Sequence, residues 1–305
     1  MKISRQEFAS TKHILKNRYQ GCGSNFSGEQ DESLLREFDR SGEWWAEPKI
    51  DGWWGECHLL EDKNVFKSKN NIICLGLEKY KKPCLKPGTI LICELGYGSQ
   101  NALERKAEYG HDFIDIFDIV AFEYNDITTI GDDARRVLLE NWWKSLDAES
   151  KLRFRLVPRF SSNFVANYQK QHEGLVLKKR GDFPYIGKGK KVKHWIKTKK
   201  AFVTNMVLMD WKESSADTKS DVSMVESLGC GQYIDGKLQI TVWVGSMEHS
   251  RSIEFARNFS KYRGKVIPVG HYGQFKSGSL RHPFVYEPKV DEVMSSKRPK
   301  DCVFE

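Results

Sequence analysis

Nowhere in the 305 residues is there an apolar run long enough to cross a bilayer as a helix, which excludes a helical membrane span. The opening residues Met1-Lys2-Ile3-Ser4-Arg5-Gln6 lead into no apolar signal core, so the expectation is an intracellular protein, cytoplasmic or, for a viral chain, in the host cytoplasm. Cysteines are few: Cys22, Cys57, Cys74, Cys84, Cys93, Cys230 and Cys302 are odd in number and contain no Cys-x-x-Cys pair. That argues against a disulfide framework and a zinc site, and for reduced thiols. No internal repeat and no extended low-complexity tract interrupts the chain. At 39% hydrophobic and 30% charged residues the composition is that of a globular protein rather than a disordered one, with length enough for two domains.

Charge is present and unevenly placed. The formal net charge is +8. Between residues 176 and 200, Lys178, Lys179, Arg180, Lys188, Lys190, Lys191, Lys193, Lys197, Lys199 and Lys200 face a single acid, Asp182. Phe183, Tyr185 and Trp195 punctuate this strip, and cations interleaved with aromatics are the footprint of a phosphate-binding groove.

Periodicity gives a coarse layout. Leu34, Leu35 and Phe38 share one face of a short helix at Asp31–Asp39. Strand patterns follow at Trp44–Pro48, Trp53–Leu60, Val65–Ser68, Thr89–Glu94 and Ile114–Phe122. Asp132–Leu146 reads as the clearest helix, capped by Asp132, with Ala134, Val137, Leu138 and Trp142 as its apolar stripe. Strands are expected at Arg153–Val157 and Gly174–Lys179, with a helix near Asn163–Gln171 between them. Beyond residue 200, β-like runs at Phe202–Trp211, Gly231–Tyr233, Leu238–Trp243 and Lys265–Gly270 surround one helix at Met247–Phe259, and Lys212–Val222 reads as a mobile loop. The expected fold class is therefore α+β, with domains at 1–200 and 201–305, the second a small OB-type β-barrel.

The chemistry starts at Glu47-Pro48-Lys49-Ile50-Asp51-Gly52. A lysine amine attacks an electrophile only when deprotonated, a state favoured by burial or cationic neighbours. A nucleophilic lysine acting on a nucleoside triphosphate needs acids for a divalent cation and for sugar hydroxyls, an aromatic face for the base, and cations around the α-phosphate. The chain offers these on successive strand ends: Glu94 in Leu91-Ile-Cys-Glu94-Leu95, Phe117 in Phe117-Asp118-Ile119-Val120, and Glu173 in Glu173-Gly174-Leu175-Val176-Leu177-Lys178. Lys197 and Lys199 in Trp195-Ile196-Lys197-Thr198-Lys199 would share one strand face. In this order the five segments, over roughly 46–200, resemble the covalent nucleotidyltransferase superfamily of polynucleotide ligases and mRNA capping enzymes. Two further stretches look most like an ATP-dependent DNA ligase of the compact, two-domain phage or bacterial type. One is Glu173–Tyr185 followed by Lys193–Lys199; the other is Gly278-Ser279-Leu280-Arg281-His282-Pro283-Phe284, which resembles the closing segment of the ligase OB domain.

The resemblance implies an adenylation domain of antiparallel sheets with helices, then the OB-fold barrel. It implies that Lys49 attacks the α-phosphorus of ATP to form a lysine–AMP, with Asp51, Lys197 and Lys199 assisting, the two lysines stabilising charge on the α-phosphate. ATP would be held by Glu47, Ile50, Ser68, Lys69, Glu94, Phe117, Lys197 and Lys199, with Phe117 stacking on adenine and Glu94 on the ribose hydroxyls. Glu173 and Asp51 would place Mg²⁺ or Mn²⁺. Nicked duplex DNA, the implied partner in repair, replication or recombination, would meet Lys178, Lys179, Arg180, Lys188, Lys190, Lys191, Arg281 and His282, and the protein would act as a monomer. An RNA ligase of the same superfamily, or a non-catalytic nucleic-acid-binding OB protein with a decayed transferase domain, are the alternative functions. The chain departs from the family pattern at Trp54, where arginine is usual, at Ser68-Lys69, where Ser-Arg is frequent, and in lacking the basic-Asp-Lys motif of the OB domain.

Overall fold

The computed structural model describes residues 21–27, 30–61, 63–69, 86–96, 113–170, 173–187, 191–214, 223–275 and 278–303. The chain divides into two compact units, Met1–Lys199 and Lys200–Glu305. Fifteen strands occur among the described residues: β1 Gly21–Ser27, β2 Trp44–Pro48, β3 Trp53–Leu59, β4 Asn64–Ser68, β5 Thr89–Leu95, β6 Ile114–Phe122, β7 Asn125–Asp126, β8 Phe154–Leu156, β9 Leu175–Lys179, β10 Lys191–Lys199, β11 Phe202–Glu213, β12 Val225–Ile234, β13 Lys237–Val244, β14 Val266–His271 and β15 Phe284–Val285. The helices are α1 Gln30–Ser41, α2 Asp132–Lys144, α3 Ala148–Arg153, α4 Phe164–Lys170, α5 His249–Tyr262 and α6 Val290–Ser296. The fold is α+β, and among the described residues no helix is long and apolar enough to cross a membrane.

The first unit holds two sheets. One runs β4-β3-β5-β6-β7 with β8 added in parallel beside β6; the other runs β1-β10-β9-β2. Alternation sorts the side chains of each strand onto opposite faces. Cys57, Leu59, Leu91, Cys93 and Ile116 point to one side of the larger sheet and pack on Leu139 and Trp142 of α2. Ile90, Ile92 and Val120 point to the other side and meet Val192 and Trp195 of β10, so the two sheets face each other. Leu35 of α1 and Phe164 and Tyr168 of α4 cover the far side of the smaller sheet against Leu175, Leu177 and Ile196. Each of these fully buried aliphatic side chains contributes roughly 1.5–3 kcal/mol of hydrophobic stabilisation.

Helix α2 corrects the sequence reading in two ways. Asp132 does not cap it: Gly131 is the N-cap, with no side-chain capping bond, and Asp132 lies buried in the first turn. The inward stripe is also rotated. Val137 is 57% exposed, while Arg135, Arg136, Leu139 and Trp142 are buried. The reason is electrostatic, because two carboxylates from the sheets lie under the helix and buried charges must be paired. Arg135 grips Asp118 of β6 through Nε at 2.9 Å and Nη2 at 3.1 Å, and Arg136 lies 3.8 Å from Glu47 of β2. Strand β1, which pairs in parallel with β10, and helix α3 were not expected from the sequence.

In the second unit a five-stranded sheet runs β13-β12-β11-β14-β15. It is not a closed barrel among the described residues; only an isolated bridge between Ser246 and Phe284 joins the two edges. Helix α5 packs Phe255 and Tyr262 against Met206, Leu208, Leu228 and Val269 on one face. On the other face Val293 of α6 and Cys302 cover Val207 and Val266. Lys212 and Glu213, expected in a loop, continue β11 as partners of Ser227 and Val225, and residues 215–222 lie outside the described set.

Candidate active site

Strand register explains why residues distant in sequence meet. β2 pairs antiparallel with β9, from Trp44 opposite Lys179 to Pro48 opposite Leu175. The next step places Lys49 beside Gly174, and the Lys49 backbone N–H donates to the Gly174 carbonyl at 2.9 Å. The Lys49 ammonium contacts the Glu173 carboxylate, 124 positions away in sequence. Gly174 has φ +115°, and a Cβ there would lie 2.5 Å from the Thr198 carbonyl oxygen, so the junction requires glycine. Gly52 has a different reason: a Cβ on it would meet the Leu95 carbonyl oxygen at 2.4 Å and Glu94 Cγ at 2.9 Å. The glycine of Lys-x-Asp-Gly thus lets the β2–β3 turn lie against the end of β5.

On the facing sheet, Trp54 of β3 pairs with Glu94 of β5, and Phe117 projects from the next strand, β6. On the smaller sheet Glu47, Val176 and Lys197 are register partners across β2, β9 and β10. Between the two sheets lies a cavity of about 220 Å³, lined by Glu47, Pro48, Lys49, Ile50, Trp54, Glu94, Phe117, Val157, Val176, Lys178, Trp195 and Lys197. It offers aromatic faces, two carboxylates and three lysines in one open cleft, a composition suited to a small ligand with a flat ring and an anionic end.

The charges in its walls are unequal. Glu47 is 2% exposed. Burial alone would raise its carboxyl, but Lys178 at 2.9 Å, Arg159 at 2.8 Å and Arg136 hold it below the ordinary carboxylate range. Glu94 goes the other way. Burial, reinforced by the nearby charges of Asp51, Glu173 and Asp115 and only partly offset by Lys49, pushes its carboxyl up to about 8. A proton held in the folded state but lost on unfolding makes stability fall as pH rises between the two pKa values. For Glu94 that window runs from 4.5 to about 8. Urea titrations should therefore show wild-type stability declining from pH 6 to pH 8 relative to E94Q, and parallel pH profiles for the two proteins would refute the assignment.

No protein-family model and no curated protein matches the sequence. Solved structures do. One from a structure–function analysis of Lig E DNA ligases, concerned with DNA binding by a minimal scaffold, aligns at TM-score 0.60 and 15% identity over 87% of this chain and 97% of its own. Another, Pmar-Lig_Pre, aligns at TM-score 0.59 and 14% identity over 93% of this chain and 71% of its own. The chain shares the fold of these DNA ligase structures. Its α+β layout of several sheets and few helices agrees with that fold.

Within the ligase fold, the residues singled out from sequence fall into three groups. Glu47, Lys49, Ile50, Glu94, Phe117 and Lys197 line the cavity, and Glu173 and half-buried Asp51 stand at its lysine end. Ser68, Lys69 and Lys199 do not line it: Ser68 ends β4 opposite Gly55, Lys69 is exposed with its N–H bonded to the Trp54 carbonyl at 3.2 Å, and Lys199 is half-buried at the end of β10. The DNA-facing set is the most altered. Lys178 is 1% exposed, donates to the Phe117 carbonyl at 3.2 Å and lies 4.5 Å from the Trp195 ring, so it is a wall of the cavity rather than a surface contact. Arg180 donates to the Trp44 and Ser161 carbonyls, each at 3.1 Å, and stacks over Trp45 at 4.0 Å, which leaves it a structural role. Lys179 is paired with Glu43 at 3.2 Å, Lys191 is exposed, Arg281 is half-buried and exposed His282 has φ +49°. Lys188 and Lys190 lie outside the described residues. Sequence reasoning missed the lining roles of Trp54, Val157, Val176, Lys178 and Trp195. The i, i+2 pairs Val176/Lys178 and Trp195/Lys197 carried the signal for the three missed positions on β9 and β10, once Lys197 was placed in a site.

Proposed function

We propose that this protein is an ATP-dependent DNA ligase that seals nicks through a covalent Lys49–AMP intermediate. The observation that carries the reading is the Lys49 amine, paired with Glu173 at the mouth of a cavity that also holds Phe117, Glu94 and Lys197. Adenine lies on Phe117, the ribose hydroxyls reach Glu94, and the α-phosphate faces Lys49 and Lys197. Lys49 Nζ bonds to the α-phosphorus as the bond to pyrophosphate breaks, and the Glu173 carboxylate is the acceptor within reach of the amine proton. AMP then passes to the 5′-phosphate at a nick, and the 3′-hydroxyl displaces it to close the strand. Positioning and charge stabilisation carry such phosphoryl transfers.

The acidic groups around Lys49 also fit a divalent cation. Burial is the main reason the Glu94 carboxyl is raised, and the neighbouring charges of Asp51, Glu173 and Asp115 add to it, so acidic groups gather at the lysine end of the cavity. Among the described residues no three such groups are arranged to hold a metal alone. That suits Mg²⁺, which takes one or two carboxylates together with substrate phosphates and water. Asp51 and Glu173 would hold it, and its charge would stabilise the phosphoryl oxygens.

Duplex binding should be salt-dependent if exposed cations meet the phosphates. Lys191 and Lys193 are both exposed on β10. Removing the two as K191A/K193A should lower the slope of log affinity against log salt by roughly two, without changing preference between sequences. Equilibrium binding to a nicked duplex across a salt series measures this, and an unaltered slope would place the DNA elsewhere. Replacing the strand on either side of the nick by RNA in sealing assays separates a DNA ligase from an RNA ligase.

A further inference from the structure

Trp54 is a cavity residue with no task in the proposed reaction. It projects from β3 directly opposite Glu94, and it packs with Phe117 against the cluster formed by Ile90, Ile92, Val120 and Trp195. Packing of this kind fixes the indole as a wall. Phe117, Glu94 and Trp54 lie on three adjacent strands, so a nucleoside with its base on Phe117 and its sugar at Glu94 brings its phosphates toward Trp54 and the neighbouring Lys49. Among the described residues, the cations lining the cavity are Lys49, Lys178 and Lys197. Lys49 is paired with Glu173 and Lys178 with Glu47. Among the described residues, Lys197 is the one lysine of the cavity wall with no ion-pair partner.

We propose that Trp54 is a specificity-determining residue that leaves the cavity, among the described residues, one uncommitted cation, so that the site reads a nucleoside and its first phosphate and holds any further phosphate weakly. This rests on the nucleotide reading of the cavity. An indole presents a neutral face and a single N–H donor, whereas a guanidinium at the same place would offer a charged, forked donor to a phosphate oxyanion. The further phosphate has two sources, the β- and γ-phosphates of the donor nucleotide or the 5′-phosphate of the nucleic acid end.

Binding measured by calorimetry in the K49A background, where no covalent step intervenes, tests the idea with Mg²⁺ held constant. W54R and W54K, the latter slimmer and easier to accommodate, should each raise the ATP-over-AMP affinity ratio by about ten-fold, the scale of one charge-assisted hydrogen bond. W54F should leave the ratio where tryptophan sets it. A second arm compares nicked duplexes with and without a 5′-phosphate; a ten-fold rise confined to that arm assigns Trp54 to the acceptor end instead of the donor tail. The proposal is overturned if neither ratio moves, or if ATP already binds about 100-fold tighter than AMP with Trp54 in place, since that needs strong contacts to the tail. If neither ATP nor AMP binds, the nucleotide reading fails and takes the proposal with it; if both bind with unchanged ratios, only the role of Trp54 fails.

Discussion

Incubation with ATP and Mg²⁺ should add the mass of one AMP to the intact protein, and K49A should show no adduct. Sealing of a nicked duplex should fall by at least about 1,000-fold in the same variant, because removal of a covalent nucleophile leaves only binding and charge stabilisation. The pairing of Lys49 with Glu173 makes the outcome specific to this lysine. Lys178 is as close to the base-binding wall, but it is held by Glu47 and the Phe117 carbonyl and is not placed to replace it. K49R is a useful companion: it retains a cation opposite Glu173 yet offers no amine that loses its proton readily, so it should also lack the adduct. GTP and NAD offered side by side with ATP would read donor choice from the same mass measurement. An AMP adduct persisting in K49A would move the nucleophile to another residue, and no adduct with any donor would favour a nucleic-acid-binding protein without transferase chemistry.

Much of this site was legible because its segments occur in the order of the family they resemble; the period of two alone put Lys197 and Lys199 on one face, and only Lys197 lines the cavity. Lys49, Glu94, Phe117, Glu173 and Lys197 could be ordered along the chain, and the β2–β9 register then brings the first and fourth together across 124 residues. What the sequence concealed was the environment of each charge. Lys178 and Arg180 look like members of a cationic surface strip, but one is buried between sheets and the other is tied to backbone carbonyls, since a linear count of lysines does not distinguish strand faces. The rotated stripe of α2 has the same origin. Arg135 and Arg136 have no place in an apolar stripe until Asp118 and Glu47 are known to lie beneath the helix. Trp54 looked like a loss when judged by residue type alone; its place beside Glu94 gives it a wall to form.

The buried network around Glu47 yields the largest expected effect on stability. Lys178, Arg159 and Arg136 converge on its carboxylate from β9, from the segment after β8 and from α2, so Glu47 ties three elements to β2. Removing one partner from a buried, paired cluster leaves charge without compensation, at a typical cost of about 3–5 kcal/mol. E47Q and E47A should both approach that loss in urea titrations at pH 7, because the missing charge matters more than the missing volume. The pH dependence follows from the direction of the shift. The folded-state pKa of Glu47 is depressed below its ordinary value of 4.5, so its contribution is present above that value and is lost as pH falls through 4.5 toward the lowered one. Wild type and E47Q should therefore differ most above about pH 5 and converge in acid, where the carboxylate of the wild type is protonated as well. A difference that stays constant down to pH 2 would mean that shape, not charge, sets the cost. A cost well under 1 kcal/mol at pH 7 would mean that water reaches the cluster and pairs with the three cations once Glu47 is gone.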